Sequence, residues 1–291
     1  MQSLTFHSNY KHNKVLRDSF NNLAEATFGG LNFEHWYECG YWDERYVPYS
    51  YADNGQIVAN VSVSFLDFIV EGEMKKAIQI GTVMTHPDYR GQGLSAKLMN
   101  IVIETYEDEC DFMYLFANDK VLDFYPKFGF KRASESTFEL KVQPAEQPYT
   151  LRKLNPNDDE ERAFIHKIAA TRAPISQKFS ALNTPSLFMF YCLYVFEQEI
   201  YYIEENETII AYKEDEGHID IFDIVSKGER TITETLVHVP NQEAKPFRLH
   251  FTADEVTEAI ATLDSSTNLF LRTFGSFTYP PSVLHPYTSR A

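Results

Sequence analysis

One short segment has the residue types that suit the binding of an anion. It consists of four consecutive residues, Arg90, Gly91, Gln92 and Gly93. A strand is predicted to end shortly before them, and an amphipathic helix is predicted to begin at Leu94. The backbone N–H groups of such a turn, with the positive end of the helix dipole, bind a pyrophosphate well. Glycine lets phosphate oxygens approach closely, and the Arg90 guanidinium can add charge-assisted hydrogen bonds. By itself the pattern fits an ordinary strand-to-helix turn equally well.

The elements on both sides of this turn predict a mixed sheet. Hydrophobic periodicity and turn residues give, in order, a helix over 13–28, strands over 46–52, 57–69 and 77–85, the helix from 94, a strand over 112–117, a helical stretch over 119–128 and a strand over 137–142. Strand, glycine turn, helix and strand imply one parallel crossover inside an otherwise antiparallel sheet.

The second half of the chain repeats this order with poorer connections. A linker is predicted over 143–149, which holds two prolines and no apolar pattern. The elements predicted after it are helices over 158–171 and 186–197, strands over 200–203, 209–213 and 219–225, a short helix over 231–237, a strand over 247–251, a helix over 254–263 and a strand over 269–274. We therefore expect two domains, 1–142 and 150–291, each an α/β unit with a mostly antiparallel sheet flanked by helices.

Composition excludes several classes of function. The 291 residues include 42 acidic and 26 basic side chains, a formal net charge of −16. Nucleic-acid binding needs clustered Lys and Arg, so it is not expected. The longest apolar run, over 187–196, is about half of a membrane span, and the first residues show no secretory signal. We expect a cytoplasmic protein without a membrane partner, whose acidity either attracts a cationic substrate or serves solubility alone.

The three cysteines give no sign of a disulfide framework or of a metal centre. Cys39, Cys110 and Cys192 are an odd number and contain no CxxC pair. No metal-binding residue is therefore assigned.

Residues beyond the glycine turn extend the motif into a family resemblance. Asn118 and the segment 124–130, Phe-Tyr-Pro-Lys-Phe-Gly-Phe, follow about 25–40 residues after it. With them the chain resembles the GNAT superfamily of acyl-CoA-dependent N-acetyltransferases, whose turn reads Gln/Arg-x-x-Gly-x-Gly/Ala. Here it reads Arg90-Gly-Gln-Gly93-Leu-Ser95, with a small Ser95 in place of Gly or Ala. The resemblance is close over 60–135, extends in element order over 1–142, and implies the acyl-CoA N-acyltransferase fold.

The resemblance implies that acetyl-CoA is the cosubstrate and implies which residues bind it. Backbone groups of the strand before the turn would pair with the pantetheine arm, the turn amides would hold the pyrophosphate, and a side chain at the end of the next strand would bond the cofactor. The residues so assigned are Val83, Met84, Thr85, Arg90, Gly91, Gln92, Gly93, Leu94, Ser95 and Asn118.

Tyr125 matches the family tyrosine that protonates the departing thiolate. A phenol has a pKa near 10, close enough to that of a thiol for the two to exchange a proton. The alternative is an ordinary core tyrosine between Phe124 and Phe128. In this context we favour the catalytic acid.

The base that takes the proton of the attacking amine is harder to assign. Many family members carry a glutamate on the strand before the turn, but residues 78–84 include no ionisable side chain. Glu71 and Glu73 at the preceding hairpin, or a chain of waters, remain open as alternatives. Each of the two glutamates is more simply a solvated turn residue, and His86 is expected to be structural.

A second resemblance is to tandem acetyltransferases of the enhanced-intracellular-survival type. In the second copy, the turn at 226–229 reads Ser-Lys-Gly-Glu and lacks both the glycine pair and the arginine. We therefore expect this copy to be degenerate and the chain to bind one CoA. Members of that type use a terminal carboxylate as base, which makes Ala291 a candidate beside a solvated tail. The sterol-carrier-like third domain of that type is not recognised in this sequence.

The acceptor site is less defined by sequence. Aromatic and acidic residues are mixed in the loop where the family often builds this site, at Glu34, Trp36, Tyr37, Glu38, Tyr41, Trp42 and Asp43. Such a mixture either binds a cation or clasps the two domains together. The predicted function is transfer of an acetyl group to a small or peptidyl primary amine. The alternative is a non-catalytic acyl-CoA-binding or sensing module, and the oligomeric state, a homo-oligomer included, stays open.

Overall fold

The computed structural model describes residues 4–228, 230–256 and 268–290. It contains an eight-stranded and a six-stranded sheet, both flanked by helices. The expected mixed, mostly antiparallel α/β fold is confirmed. None of the helices in these ranges is long and apolar enough to cross a membrane.

The first sheet has the order β1-β2-β3-β4-β5-β14-β6, with β9 also pairing to β3. Its strands are β1 (Thr5–Ser8), β2 (Tyr46–Asp53), β3 (Gln56–Val70), β4 (Glu73–Thr85), β5 (Phe112–Phe116), β6 (Lys131–Arg132), β9 (Phe179–Leu182) and β14 (Leu269–Thr273). The helices that precede or connect these strands are α1 (Lys14–Phe28), α2 (Glu34–Glu38) and α3 (Leu94–Tyr106).

Two hairpins build the meander β2-β3-β4 as predicted. Asn54-Gly55 and Glu71-Gly72 connect the strands, and all four residues have positive φ, between 49° and 81°. That backbone matches the right-handed twist of the flanking strands, which is why Asn-Gly is a strong hairpin signal. β4 and β5 then run parallel, joined through α3, so the predicted parallel crossover is confirmed.

The second sheet has the order β7-β13-β12-β11-β10-β8. Its strands are β7 (Phe138–Leu140), β8 (Leu151–Lys153), β10 (Ile200–Ile203), β11 (Thr208–Glu214), β12 (Ile219–Ser226) and β13 (Phe247–Leu249), and the helices of this half are α4 (Asp159–Ala169), α5 (Pro185–Tyr194) and α6 (Ile232–Leu236). β12 and β13 are parallel, which repeats the crossover of the first sheet.

The two sheets exchange strands. β7, expected as the last strand of the first sheet, pairs with β13 in the second sheet. β14, expected in the second sheet, lies between β5 and β6 in the first. Periodicity identifies a strand but not its partner, so the sequence places both strands correctly along the chain and assigns them to the wrong sheets. The division into domains 1–142 and 150–291 stays a prediction.

Two predicted helices differ from the structure over the residues that it describes. Residues 119–128 form two short 3₁₀ turns, Asp119–Val121 and Tyr125–Phe128, rather than one helical stretch. Pro126 lacks the N–H that a continuous helix needs, and Gly129 ends the second turn with φ 79°. Residues 254–256 of the helix predicted over 254–263 are not helical, and 257–263 lie outside the described residues.

Candidate active site

The predicted anion-binding turn lies at the start of α3. Gly91 and Gly93 have φ 76° and 73°, and a Cβ added at either would meet no atom within 4 Å. Glycine is therefore required by the backbone, which leaves open space above the turn. Gly93 caps α3 without a side chain, so no side-chain group covers the first N–H groups of the helix. Gln92 is exposed beside them.

The side chains around the turn hold it in place. Arg90 Nε donates to the Thr85 carbonyl at 3.3 Å, and the hydroxyls of Thr85 and Ser95 lie 2.6 Å apart. The Asp88 N–H donates to His86 Nδ1 at 3.3 Å, which agrees with the structural role expected for His86. Leu94 is buried in the core, so only its backbone can face a ligand.

A bulge in β4 opens the sheet next to this turn. Asn60 and Ser62 of β3 pair with Met84 and Gly81, so β4 has one residue more than β3 between these pairs. Within this bulge, Thr82 has the left-handed backbone conformation, with φ 48°. Its carbonyl accepts from Asn60 Nδ2 at 2.8 Å. A bulge bends and twists its strand, which turns this part of β4 away from its neighbour.

β4 and β5 consequently diverge. They pair only over 77–79 and 112–114, although β4 continues to Thr85. Beyond this point the β5-facing edge of β4, including Val83, has no partner strand among the described residues. Met84 is buried, and Val83 and Thr85 are half-buried. The open edge is a surface on which an extended ligand can form strand-like hydrogen bonds.

A cleft of about 420 Å³ lies between the diverging strands, the α5 region and the segment 287–290. Three of the predicted residues, Val83, Asn118 and Tyr125, line it together. The other eight predicted residues lie along the open end of β4 and at the glycine turn, outside this cleft. Asn118 Oδ1 accepts the Lys120 N–H at 3.0 Å, which fixes the side chain at the end of β5.

Tyr125 is nearly buried at the edge of the cleft. Its ring contacts Phe124 and Phe270, with centroids 5.2 and 5.8 Å away. Burial raises the pKa of Tyr125 to about 12. The phenol therefore keeps its proton at neutral pH, which is the state that a proton donor needs.

The glutamates considered as base do not reach the cleft. Glu71 and Glu73 are exposed at the far end of β4, and even Glu73 is roughly 33 Å along the strand from Val83 at the usual rise per residue. Both line a separate acidic depression. Ala291 lies outside the described residues, but Arg290 and Tyr287 border the cleft.

The segment before Ala291 is fixed rather than solvated. Thr288 Oγ1 donates to Asp223 at 2.6 Å, and Asp223 also accepts from Arg172 at 2.7 Å. The Tyr114 hydroxyl donates to the Ser289 carbonyl at 2.7 Å. Sequence patterns gave no signal for this, because all these bonds join residues far apart in the chain.

The aromatic and acidic segment after α1 contacts the second half of the chain. Trp36 Nε1 donates to the Ser186 carbonyl at 2.8 Å, and Ser186 Oγ donates to Asp43 at 2.6 Å. Glu34 is paired with Arg17 at 2.8 Å. These bonds join the segment to the second half of the chain, and Trp36 also borders the cleft, so both interpretations stay predictions.

Solved structures share this fold. A probable N-acyltransferase from Enterococcus faecalis is 15% identical, with a TM-score of 0.62 over 93% of this chain and 72% of that one. Eis1 from Mycobacterium abscessus is 14% identical, with a TM-score of 0.58 over 93% and 73%. A GCN5-related N-acetyltransferase from Kribbella flavida is 16% identical, with a TM-score of 0.56 over 93% and 72%.

Sequence comparison matches one segment of the chain to a family model. No curated protein matches the chain, but residues 16–130 match the acetyltransferase (GNAT) family. That range includes the glycine turn, the open edge of β4, Asn118 and Tyr125. Residues 16–130 of the chain therefore match the domain of the GNAT acetyltransferase family.

Proposed function

We propose that the chain is an acetyl-CoA-dependent N-acetyltransferase that acts on a small or peptidyl primary amine by direct transfer. The observation that carries the proposal is the continuity of the glycine turn, the open edge of β4 and the cleft that Val83, Asn118 and Tyr125 line. A phosphate group, an extended arm and a reacting carbonyl fit these three places in that order.

Each part of this surface has a role in the proposal. The backbone N–H groups from Gly91 to Ser95, with Arg90, hold the pyrophosphate, and the edge from Val83 to Thr85 pairs with the pantetheine arm. Asn118 bonds the arm near its thioester end. The cradle fits because the glycines leave the space above the turn free.

Transfer then needs two bound substrates and one proton donor. The unprotonated amine attacks the thioester carbonyl, a C–N bond forms and the C–S bond breaks. Tyr125 gives its proton to the leaving sulfur, and the proton lost by the amine passes to water or to a base. Holding both reactants in one cleft contributes a large part of the acceleration.

The test is turnover of acetyl-CoA with a panel of primary amines, followed by thiol detection and by mass spectrometry of the acceptor. We expect free CoA and acetylated amine to appear in equal amounts. Tight acetyl-CoA binding without turnover on any amine would favour the sensing module instead.

One CoA per chain is expected, bound near Arg90. In the second sheet, β12 and β13 pair only over 219–221 and 247–249. Beyond these pairs, other segments of the chain bond to the residues that follow β13 and end β12. Tyr287 N donates to the His250 carbonyl at 2.8 Å, and Ala173 N donates to the Ser226 carbonyl at 2.8 Å. Glu229, at the degenerate turn, lies outside the described residues. Calorimetric titration with CoA should give a stoichiometry of one, and a value of two would contradict this.

We expect no decrease of kcat from ionisation of Tyr125 at any pH below about 10. Burial raises the pKa of Tyr125 to about 12, so the phenol stays protonated and able to donate over this range. The measurement is kcat against pH at saturating acceptor. A decline centred near the ordinary tyrosine pKa, about 10, would indicate either a solvated Tyr125 or a different acid.

A further inference from the structure

A row of polar side chains is buried inside the first sheet, next to the bulge in β4. Ser50 of β2 pairs with Asn60 of β3, and Ser62 follows two residues later on the same face of that strand. All three residues are fully buried. Burying a polar group is costly unless it is hydrogen-bonded, so each member of this row needs a partner. The bonds of Asn60 show what the row holds in place.

The Asn60 amide uses both of its donors and its acceptor. Nδ2 donates to the Ser62 hydroxyl at 2.9 Å and to the Thr82 carbonyl at 2.8 Å. Oδ1 accepts from the Ser50 hydroxyl at 2.8 Å, and Ser50 Oγ lies 2.7 Å from the Tyr10 hydroxyl. Ser50 has one proton, which it gives to Asn60, so Tyr10 donates the bond to Ser50. These bonds fix the direction of the Asn60 amide, with its NH₂ group facing Thr82.

Thr82 is held both at its carbonyl and at its side chain. Its φ of 48° is strained for a β-branched residue, and such a backbone persists only where its surroundings hold it. Asn60 holds the carbonyl, and the Tyr46 hydroxyl lies 2.8 Å from Thr82 Oγ1. Thr82 and Tyr46 both line the cleft. The strained residue is therefore fixed next to the place where the thioester would react.

The bond from Asn60 determines where the next N–H group points. The carbonyl of Thr82 and the N–H of Val83 belong to one peptide unit, and none of the described peptide bonds is cis. In a trans peptide unit the carbonyl and the N–H point in opposite directions. The Thr82 carbonyl points to β3, where Asn60 lies. The Val83 N–H therefore points away from β3, to the open edge of β4 and the cleft that Val83 lines.

An N–H group that points into the cleft suits the charge that forms during transfer. When the amine adds to the thioester, the carbonyl oxygen becomes negative, and it is neutral again once the C–S bond breaks. A donor that is fixed before the reaction stabilises this charge without reorganisation. Without the bond from Asn60, Thr82 could relax to an ordinary extended conformation. The 82–83 peptide unit would then turn, and its N–H would leave this position.

We propose that Asn60 is a positioning residue for acetyl transfer, whose buried amide fixes the 82–83 peptide unit so that the Val83 N–H donates to the thioester carbonyl. Asn60 is fully buried and does not line the cleft, so it acts through Thr82 and Val83 and touches neither substrate. This inference rests on the proposed acetyltransferase function and adds a residue to its machinery.

Kinetics of Asn60→Ala in the full chain test this role. Loss of one donor to an oxyanion usually lowers kcat by about 10²–10³-fold. Asn60→Ala misaligns the donor without removing it, so we expect kcat to fall by about 10–10²-fold. The KM for the acceptor and the CoA affinity from calorimetry should change by less than about threefold, because neither depends on charge at the carbonyl oxygen.

Asn241→Ala is the matched control. Asn241 is also buried, and its Nδ2 also donates to a backbone carbonyl at 2.8 Å, that of Lys245 in the second half of the chain. It does not line the cleft. Its kcat should remain within about twofold of the unmodified protein, although a similar bond is lost. A kcat loss below about threefold in Asn60→Ala, or an equal loss in Asn241→Ala, would overturn the inference.

Two CoA analogues test the same bond without turnover. Acetyl-dethia-CoA, in which a CH₂ group replaces the sulfur, keeps the carbonyl oxygen but cannot transfer its acetyl group. S-ethyl-CoA has nearly the same size and no carbonyl. We expect the preference for acetyl-dethia-CoA over S-ethyl-CoA to be about three- to tenfold greater in the unmodified protein than in Asn60→Ala, the usual net effect of one hydrogen bond. An equal preference in the two proteins would contradict the role of Asn60.

A structure of the unmodified chain with acetyl-dethia-CoA decides the geometry even if Asn60→Ala does not fold. We expect the carbonyl oxygen of the analogue to lie within about 3.2 Å of Val83 N. A carbonyl oxygen bonded to another group would overturn the inference. If the oxygen lies at Val83 N but no amine is acetylated, the proposed function fails, whereas the bond that Asn60 positions does not. Absence of acetyl-CoA binding would overturn both.

Discussion

Replacing Tyr125 by phenylalanine is expected to lower kcat by about 10²–10⁴-fold, the usual range for loss of a general acid. The change removes one hydroxyl and almost no volume from a ring that packs against Phe124 and Phe270. Packing and CoA affinity should therefore survive. Steady-state kinetics with a good acceptor measure the effect, and calorimetry with CoA checks that binding is retained.

Tyr202→Phe is the matched control for this prediction. Tyr202 is about as buried as Tyr125, but it lies on β10 in the second sheet and does not border the cleft. Its kcat should remain within about twofold of the unmodified protein. If kcat falls by less than about threefold in Tyr125→Phe, Tyr125 is a core residue and not the catalytic acid.

Replacing Gly93 by valine is expected to abolish measurable CoA binding. At φ 73° a β-branched residue is strained, and relief of that strain would move the N–H groups that start α3. The new side chain would also stand in the open space where phosphate oxygens approach. Calorimetry should show the CoA affinity falling by at least about 10²-fold, with circular dichroism showing that the fold persists.

Gly72→Val separates strain from ligand contact. Gly72 has φ 79° and no atom within 4 Å of an added Cβ, so its backbone setting matches that of Gly93. It lies in the β3–β4 hairpin, at the opposite end of β4 from the turn. Both variants should lose stability by roughly 1–2 kcal/mol, but only Gly93→Val should lose CoA binding. Normal CoA affinity in a folded Gly93→Val protein would contradict the proposed cradle.

The sequence by itself determined the local part of the site. Gly91 and Gly93 have the positive φ that only glycine adopts freely, and the spacing of strand, turn and helix predicted the parallel crossover that the structure contains. Asn118, Tyr125 and Val83 line one cleft, and the roles that the family resemblance implies for them remain proposals. The glycine turn and the crossover depend on residues close together in the chain, where backbone preferences and periodicity act directly.

Only the tertiary structure decided what surrounds that site. The exchange of β7 and β14 between the sheets, the stacking of Phe33 on Phe190 beside the cleft and the position of Arg290 over Phe116 all join residues more than 100 positions apart. The residue pattern of a strand does not specify its partner strand, since any strand with a compatible face can pair with it. Arg290 likewise reads as a charged tail residue until its contacts with Glu135 and Phe116 place it in the cleft.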